Sequence, residues 1–140
     1  MTLNQVINSL KNYFEGHPLV NTTNVTLDDA DFNAINNLVY PVVNIQYIDT
    51  DVNDKRFQHN FKIIVADLTN PNIEGIDFEI FSDTLQITGD FVHSLENNYD
   101  YDWIKTTNIQ PFQDSNVDRI SGVVFTIALV TWVNKNIDCE

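Results

Sequence analysis

The sequence predicts a single α+β domain, residues 1–140, in which two amphipathic helices pack on an antiparallel or mixed β-sheet that contains a long β-hairpin. Two segments repeat apolar residues every three or four positions, as helices do, and others show the alternation or apolar content of strands. These segments follow one another in the order helix, hairpin, helix, hairpin. The length of 140 residues suits one hydrophobic core, and the apolar fraction of 43% is that of an ordinary globular chain.

The first helix is predicted from an apolar stripe and from its two ends. Thr2 and Gln5 have the spacing of a capping box, and Gly16 is a residue that commonly ends a helix. Residues 19–39 lack a regular pattern, although residues 22–27 have the composition of a short strand. The stripe consists of Leu3, Val6, Ile7, Leu10 and Phe14.

The first hairpin is predicted from two alternating segments that are separated by a polar turn at residues 49–55. Its first strand begins at Tyr40-Pro41 and covers residues 42–48, with Val43, Ile45 and Tyr47 on one face and Asn44 and Gln46 on the other. Its second strand covers residues 57–68. On one face this strand places Phe57, Phe61, Ile63 and Val65, with His59 between them.

The second helix is predicted at about residues 77–97, although Gly89 weakens it by about 1 kcal/mol relative to alanine. Its stripe contains Phe78, Phe81, Leu85, Thr88, Val92 and Leu95, widened by Ile80, Ile87 and Phe91. Two strands follow, at residues 103–112 and 120–133. The last strand is apolar on both faces, which predicts a central position in the sheet. One of these faces carries Val123, Phe125, Ile127 and Leu129.

The charge of the chain excludes one broad class of function. Twenty acidic residues and seven basic residues give a net charge of −13. Such a chain cannot neutralise phosphates over a sizeable footprint, so nucleic-acid binding is not expected as its main activity, and neither is adhesion to an anionic membrane. No apolar run reaches the length of a membrane span, and the N-terminus lacks the pattern of a signal peptide. We therefore expect synthesis in the cytoplasm.

Residues 49–54 imitate the start of a calcium-binding loop, because oxygen-bearing side chains occupy alternate positions. However, Asp54 stands where the loop needs glycine, and Asn60 stands where it needs a bidentate glutamate. The flanking segments also have strand patterns and not helical ones. We therefore interpret the segment as a hairpin turn and predict no metal site.

The remaining reactive side chains do not form a catalytic pattern, and we predict no catalytic residues and no cofactor. His17, His59 and His93 lie in different elements, and Cys139 is a lone cysteine near the end of the chain. No glycine-flanked nucleophile or phosphate-binding glycine loop is present. Carboxylates that are close in sequence, at Asp28 and Asp29 and at Asp100 and Asp102, are common by chance in so acidic a chain.

Tyr99, Tyr101 and Trp103 alternate with aspartates after the second helix, and two interpretations stay open. These aromatic residues could form an exposed patch for a partner protein, because aromatic side chains dominate many interfaces. Alternatively, Trp103 packs into the core while the tyrosines cover the edge of its strand.

The order of elements resembles that of the bacteriophage tail-terminator and tail-completion family, and the resemblance covers residues 3–139. It is carried by packing and turn signals, which include the amphipathic first helix and a terminal strand leading to Cys139. The other matching segments are Tyr40-Pro41-Val42-Val43-Asn44-Ile45, Val65-Ala66-Asp67-Leu68, Ile80-Phe81-Ser82-Asp83-Thr84-Leu85 and Asp118-Arg119-Ile120-Ser121-Gly122-Val123-Val124-Phe125.

This resemblance implies a tail-terminator-like fold and a structural role in the neck or tail of a virion. The subunits would form a homo-oligomeric ring, of about six or twelve copies, that joins portal or neck proteins to the tail. DNA would pass through the channel of this head–tail connector without specific binding. The alternative is a small acidic cytoplasmic enzyme, ligand-binding domain or adaptor. Its site would be built from carboxylates whose pairing in the folded chain cannot be read from the sequence.

Overall fold

The computed structural model describes residues 2–27, 39–69, 77–97, 101–106, 108–114 and 120–132. It confirms the predicted α+β architecture, with two helices and a mixed six-stranded sheet. The elements are α1 (Leu3–Glu15), β1 (Thr22–Thr26), β2 (Val42–Asn53), β3 (Arg56–Leu68), α2 (Phe78–Glu96), β4 (Asp102–Thr106), β5 (Gln110–Asp114) and β6 (Ile120–Trp132).

The sheet has the strand order β1-β2-β3-β6-β4, and β5 pairs with β6 beyond the end of β4. β1 runs parallel to β2, whereas every other pairing is antiparallel. β6 lies between β3 and the β4 and β5 strands, which confirms the central position predicted from its two apolar faces. The short strand expected at residues 22–27 is present as the parallel edge strand β1.

Both helices contribute apolar side chains to one core, which lies on a single face of the sheet. Val6, Leu10 and Phe14 of α1 are buried there, as the stripe predicts. The ring centroids of Phe14 and Phe91 lie 4.6 Å apart, and Phe91 in turn contacts Phe125 of β6 at 6.2 Å. This aromatic series joins α1, α2 and the sheet, and pairs of this kind add stability beyond the area they bury.

α1 begins with the capping box predicted from the sequence. The Thr2 hydroxyl accepts a hydrogen bond from the Gln5 backbone N–H at 3.2 Å, and the Gln5 carboxamide accepts one from the Thr2 N–H at 2.9 Å. These two bonds satisfy N–H groups that have no partner within the helix. At the other end, the N–H of Gly16 bonds back to the Asn12 carbonyl at 3.0 Å.

α2 has the predicted bounds, but the centre of its buried face differs from the prediction. Asp77 caps the helix by accepting hydrogen bonds from Glu79 and Ile80. The prediction placed Phe78 in the apolar stripe, and this is wrong, because Phe78 is 69% exposed. The buried face instead consists of Ile80, Thr84, Ile87, Thr88, Phe91 and Leu95. The two threonines are buried without an unpaired hydroxyl because each donates to the carbonyl four residues earlier.

The predicted polar turn at residues 49–55 is also wrong, because β2 continues through Asn53 and β3 begins at Arg56. The turn consists only of Asp54 and Lys55, which have φ angles of 47° and 65°. Two successive residues with positive φ are typical of the type I′ turn, whose twist matches that of the flanking strands. A register shift between Tyr47 and Asp49 marks a bulge in the lengthened strand.

The strand predicted at residues 103–112 is present as two shorter strands, β4 and β5. Both pair antiparallel with β6, β4 against its second half and β5 against its first half. The second hairpin is thus confirmed, but its first strand is interrupted between Thr106 and Gln110.

Candidate interaction surfaces

A buried hydrogen-bond network lies where the sheet extends toward the turn of the first hairpin. His59 is only 3% exposed, and its ring nitrogens lie 2.9 Å from the hydroxyls of Thr50 and Thr131. The Thr50 hydroxyl also contacts the Tyr47 hydroxyl. Burial lowers the pKa of His59, because the protonated, charged ring would lack the hydration that it has in water. The network links β2, β3 and β6 and has a structural role.

A second histidine contact, between His17 and Asp90, connects the segment after α1 to α2. The Nδ1 atom of His17 accepts a hydrogen bond from the Leu19 N–H at 3.2 Å, so the ring proton is on Nε2 and faces Asp90 at 3.0 Å. This hydrogen bond lowers the pKa of the Asp90 carboxyl. A histidine that acts as general base needs its other nitrogen directed at a substrate. In His17 the other nitrogen accepts a hydrogen bond from the backbone. The His17–Asp90 pair therefore holds α2 against the segment that follows α1.

Residues 49–53 of the calcium-like segment lie along β2, and only Asp54 lies in the two-residue turn. Asp49 and Asp51 project from the same face of β2, and the Asn60 amide donates to them at 2.6 and 3.4 Å. In the part of the chain that the structure describes, no group of three histidine, cysteine or acidic side chains is arranged to hold a metal ion. The carboxylates of Asp49 and Asp51 therefore belong to a cross-strand contact between β2 and β3.

The amides on the strand pair β1 and β2 form another polar cluster. Asn44 is fully buried, and its amide nitrogen donates to the Thr26 hydroxyl at 3.2 Å. Within the described residues, the Asn44 oxygen, the Gln46 oxygen and the Asn24 nitrogen have no hydrogen-bond partner. Each unpaired buried polar atom lowers the stability of the fold by about 1–3 kcal/mol. Because these atoms are shut off from solvent, they offer no accessible contact surface.

Tyr101 and Trp103 pack into the core. For these two residues the structure therefore favours interior packing over an exposed aromatic patch. Tyr101 is buried, and the half-buried Trp103 donates from its indole nitrogen to Thr106 at 2.9 Å. Tyr99 lies outside the described residues. The thiol of Cys139 and the carboxylates of Asp28, Asp29 and Asp100 also lie outside the described residues.

One exposed surface lies at the turn of the first hairpin, and we name it the hairpin end. It consists of the exposed apolar side chains of Val52 and Trp132, which the strand register places on opposite faces of the sheet, together with the charged residues Asp51, Asp54, Lys55 and Arg56. Val52 is 69% exposed and Trp132 is 45% exposed, although both lie at the ends of long strands. The sequence prediction missed this surface because it treated the residues around Val52 as a polar loop.

The second exposed surface lies on the first turns of α2, and we name it the α2 surface. Phe78, Glu79, Ser82 and Asp83 line an open depression of about 560 Å³ there. Burial raises the pKa of the nearby Asp67 carboxyl, and the charges of Asp83 and Asp77 raise it further. This part of the molecule is therefore negatively charged and includes the exposed aromatic ring of Phe78.

The two surfaces lie at opposite ends of the molecule. β3 begins at Arg56 in the hairpin end and finishes at Leu68. The neighbouring Asp67 carboxyl lies near the start of α2, because the charges of Asp83 and Asp77 raise its pKa. Its thirteen residues span about 40 Å at the rise of an extended strand. The hairpin end, which carries both acidic and basic side chains, and the acidic α2 surface are consequently far apart within one chain.

Among the described residues, neither helix has the length and apolar character needed to cross a membrane. Comparison with known proteins adds no functional assignment to this geometry. No protein-family model matches the chain, and no curated protein matches it.

Proposed function

We propose that this protein is a structural subunit of a bacteriophage neck or tail that assembles into a ring around the DNA channel. In this role, as a tail terminator, tail-completion protein or head–tail connector, it joins the portal or neck proteins to the tail. It is made in the host cytoplasm and acts in the virion. The proposal combines the family resemblance of the sequence with two of the exposed surfaces of the fold, the hairpin end and the α2 surface.

The observation that carries the proposal is the exposure of large apolar side chains at two unlike ends of one domain. Val52 and Trp132 are exposed at the hairpin end, and Phe78 is exposed at the α2 surface. Fully burying a side chain of this kind stabilises an assembly by roughly 1.5–3 kcal/mol. Two different contact surfaces on one subunit favour head-to-tail association, which produces a ring when the rotation between subunits closes.

The charge of the chain supports the same role. A net charge of −13 per subunit is multiplied in a ring, and such an assembly repels the phosphates of DNA that moves through it. A connector has to let the genome pass without holding it. The acidic composition suits this requirement, and a basic surface would oppose it.

The test is to locate the chain in the particle by a reconstruction of the virion neck and tail. We expect a closed ring of identical subunits whose density fits the six-stranded sheet and the two helices. Particles that lack the protein are expected to have heads and tails that fail to join, or tails of uncontrolled length. Finding the chain only as an isolated monomer on the capsid, or only outside the particle with an enzymatic activity, would overturn the proposal.

A further inference from the structure

We propose that the edge strand β1 of one subunit pairs antiparallel with β1 of a second copy of this chain, so that two sheets join into one. The inference goes beyond the proposed function and does not rest on it, since it concerns a third surface of the fold and requires no ring. We name this surface the β1 edge, and it consists of residues 19–27. The pairing places Asn24 of both copies opposite each other on a two-fold axis.

The β1 edge has backbone groups that can pair with a further strand. β1 lies at the end of the strand order, and among the strands that the structure describes its one neighbour is β2. A strand with a neighbour on one side uses only about half of its N–H and C=O groups in the ladder, and the others point away from the sheet. A strand that arrives at this edge can bond with those groups.

The β1 edge lacks the features that normally prevent such pairing. Charged side chains and proline on an edge strand oppose the addition of another strand. At the other edge of the sheet, β4 carries Asp102 and Lys105. β5 carries Pro111 and Asp114. Residues 16–27, by contrast, contain no Asp, Glu, Lys or Arg, and β1 itself contains no proline. Of the described edge strands, β1 is therefore the unprotected one.

Exposed apolar side chains lie along the same edge. Val25 is 38% exposed within β1, and Leu19 and Leu27 are exposed on either side of it. Val39 is also exposed and is held beside β1 by the Thr22 hydroxyl, which donates to the Val39 carbonyl at 2.8 Å and accepts from its N–H at 3.0 Å. A partner strand would cover apolar surface as well as pair with the backbone, and both effects stabilise strand addition.

The sequence of β1 favours a second copy as the partner. It is Thr-Thr-Asn-Val-Thr, which is nearly the same in both directions because valine and threonine have similar shapes. In an antiparallel pair centred on Asn24, Thr22 lies opposite Thr26 of the other copy. Thr23 lies opposite Val25 of the other copy. Cross-strand pairs of threonines and of β-branched residues are favourable, and no like charges face each other.

The charge of the chain favours the same contact. With a net charge of −13 each, two copies repel each other over most of their surfaces, but the β1 edge is uncharged. Five paired residues on each side are fewer than the roughly 20–30 of a standard interface, so the association is weak. We therefore expect a dissociation constant of about 0.1 mM and a monomer at micromolar concentration.

Disulfide trapping tests the register of the pair. All proteins carry Cys139→Ser, which removes the native thiol. Asn24→Cys places a thiol next to the two-fold axis, where opposite Cα atoms lie about 4.5–5.5 Å apart, a distance that a disulfide spans. At about 1 mM protein, we expect mild oxidation to give about tenfold more covalent dimer than for Asn8→Cys, at an exposed position on α1.

A charge at the edge separates strand pairing from random collision. Adding Val25→Lys to the Asn24→Cys protein is expected to reduce the covalent dimer about tenfold, because two lysines would approach each other diagonally across the axis. Val25→Thr is the matched control. Threonine keeps the shape and the strand preference of valine, so we expect the yield of dimer to stay unchanged.

Hydrogen exchange tests the pairing in the unmodified protein. The N–H groups of β1 that point away from β2 are open to water in the monomer and protected in the pair. With a dissociation constant of about 0.1 mM, about one fifth of the subunits remain free at about 1 mM. Exchange at these groups should therefore be about fivefold slower than at about 10 µM, whereas the amides of α1 should exchange equally at both concentrations.

Both results have to hold. Cross-linking of Asn24→Cys no stronger than that of Asn8→Cys, or exchange in β1 that does not depend on concentration, would overturn the inference even if virions contain a ring of this protein. Specific cross-linking and slower exchange in a protein that is absent from virions would uphold the inference and remove the neck function.

Discussion

Gly122 of β6 lies so close to Val65 of β3 that a Cβ atom at position 122 would sit 1.9 Å from the Val65 carbonyl oxygen. The atoms it would meet are backbone atoms in the centre of the sheet, so they cannot move aside like the end of a flexible side chain. The packing of β3 on β6 therefore depends on the absence of a side chain at this one position.

We expect Gly122→Ala to destabilise the fold by about 3 kcal/mol or more, since the strands must separate or bend to accept the methyl group. Gly89→Ala is the matched control. A Cβ at position 89 meets nothing within 4 Å, and alanine stabilises an exposed helix position by about 1 kcal/mol relative to glycine. Chemical denaturation of both variants measures the difference. Equal stabilities would contradict the close approach of the two strands.

The turn of the first hairpin predicts a stabilising substitution. Lys55 has a φ of 65°, a conformation that costs a residue with a side chain about 1–2 kcal/mol. Lys55→Gly relieves this cost but raises the conformational entropy of the unfolded chain, which opposes folding, so we expect a net gain in stability of about 0.5–1 kcal/mol. The measurement is the denaturation midpoint, with Asn53→Gly as the control. A loss of stability at position 55 would argue against the type I′ turn.

Local signals in the sequence predict most of the elements, because caps, stripes and alternation act between neighbouring residues. The capping pair Thr2 and Gln5 and the alternating Ile63 and Val65 are examples of such signals. Errors arose where distant residues decide the outcome. The polar residues after Tyr47 resemble a loop, yet pairing with β3 makes them a strand. Phe78 fits the apolar stripe, yet no described core residue covers it.

The candidate surfaces were less predictable than the fold. His17 and Asp90 are 73 residues apart, so no local pattern indicates that they pair. His59 has no sequence neighbour that suggests its threonine partners, which come from β2 and β6. The hairpin end and the α2 surface depend on which apolar residues remain exposed after packing. Net charge and element order are visible in the sequence, but exposure is a property of the folded chain.

Core truncation on β6 tests the face that the sequence assigned to the interior. Phe125 and Ile127 are each 2% exposed and lie on the helix-covered face of the sheet. We expect Phe125→Ala to cost about 3–5 kcal/mol and Ile127→Ala about 2–5 kcal/mol, a large part of the stability of a domain this size. Val52→Ala, at an exposed position, should change stability little. Thermal melts that coincide with the unmodified protein would show that this face is not a core.

The buried position of His59 predicts a pH dependence. Because burial lowers its pKa in the folded state, the unfolded chain binds more protons once the pH falls below the ordinary histidine value of about 6.5. The contribution of His59 to stability is therefore complete above that pH and is lost as the pH falls toward the lowered pKa. His59→Gln should flatten the stability profile over this range, whereas His93→Gln, at an exposed position, should not. Identical slopes for both variants would contradict the shift.

We expect the inner surface of the proposed ring to be net negative and unable to retain DNA. Each subunit carries 20 acidic and 7 basic residues, so a neutral channel would require nearly all carboxylates to face outward. A negative lining repels phosphates and provides no basic contacts to hold them, although screening limits its reach to about 8 Å at physiological salt. The same repulsion opposes early association, so a monomer in solution agrees with the proposal.

The measurement is an in-virion reconstruction in which the side chains that line the channel are assigned. Filter binding of duplex DNA by the purified protein provides a second readout. We expect no DNA to be retained at 0.15 M salt, a concentration at which basic DNA-binding proteins still bind nonspecific DNA. A variant with Asp49→Lys and Asp51→Lys serves as a comparison, since it moves the net charge toward zero without touching the core. A ring with a basic lumen, or retention of DNA by the unmodified protein, would remove the electrostatic argument for its role as a channel.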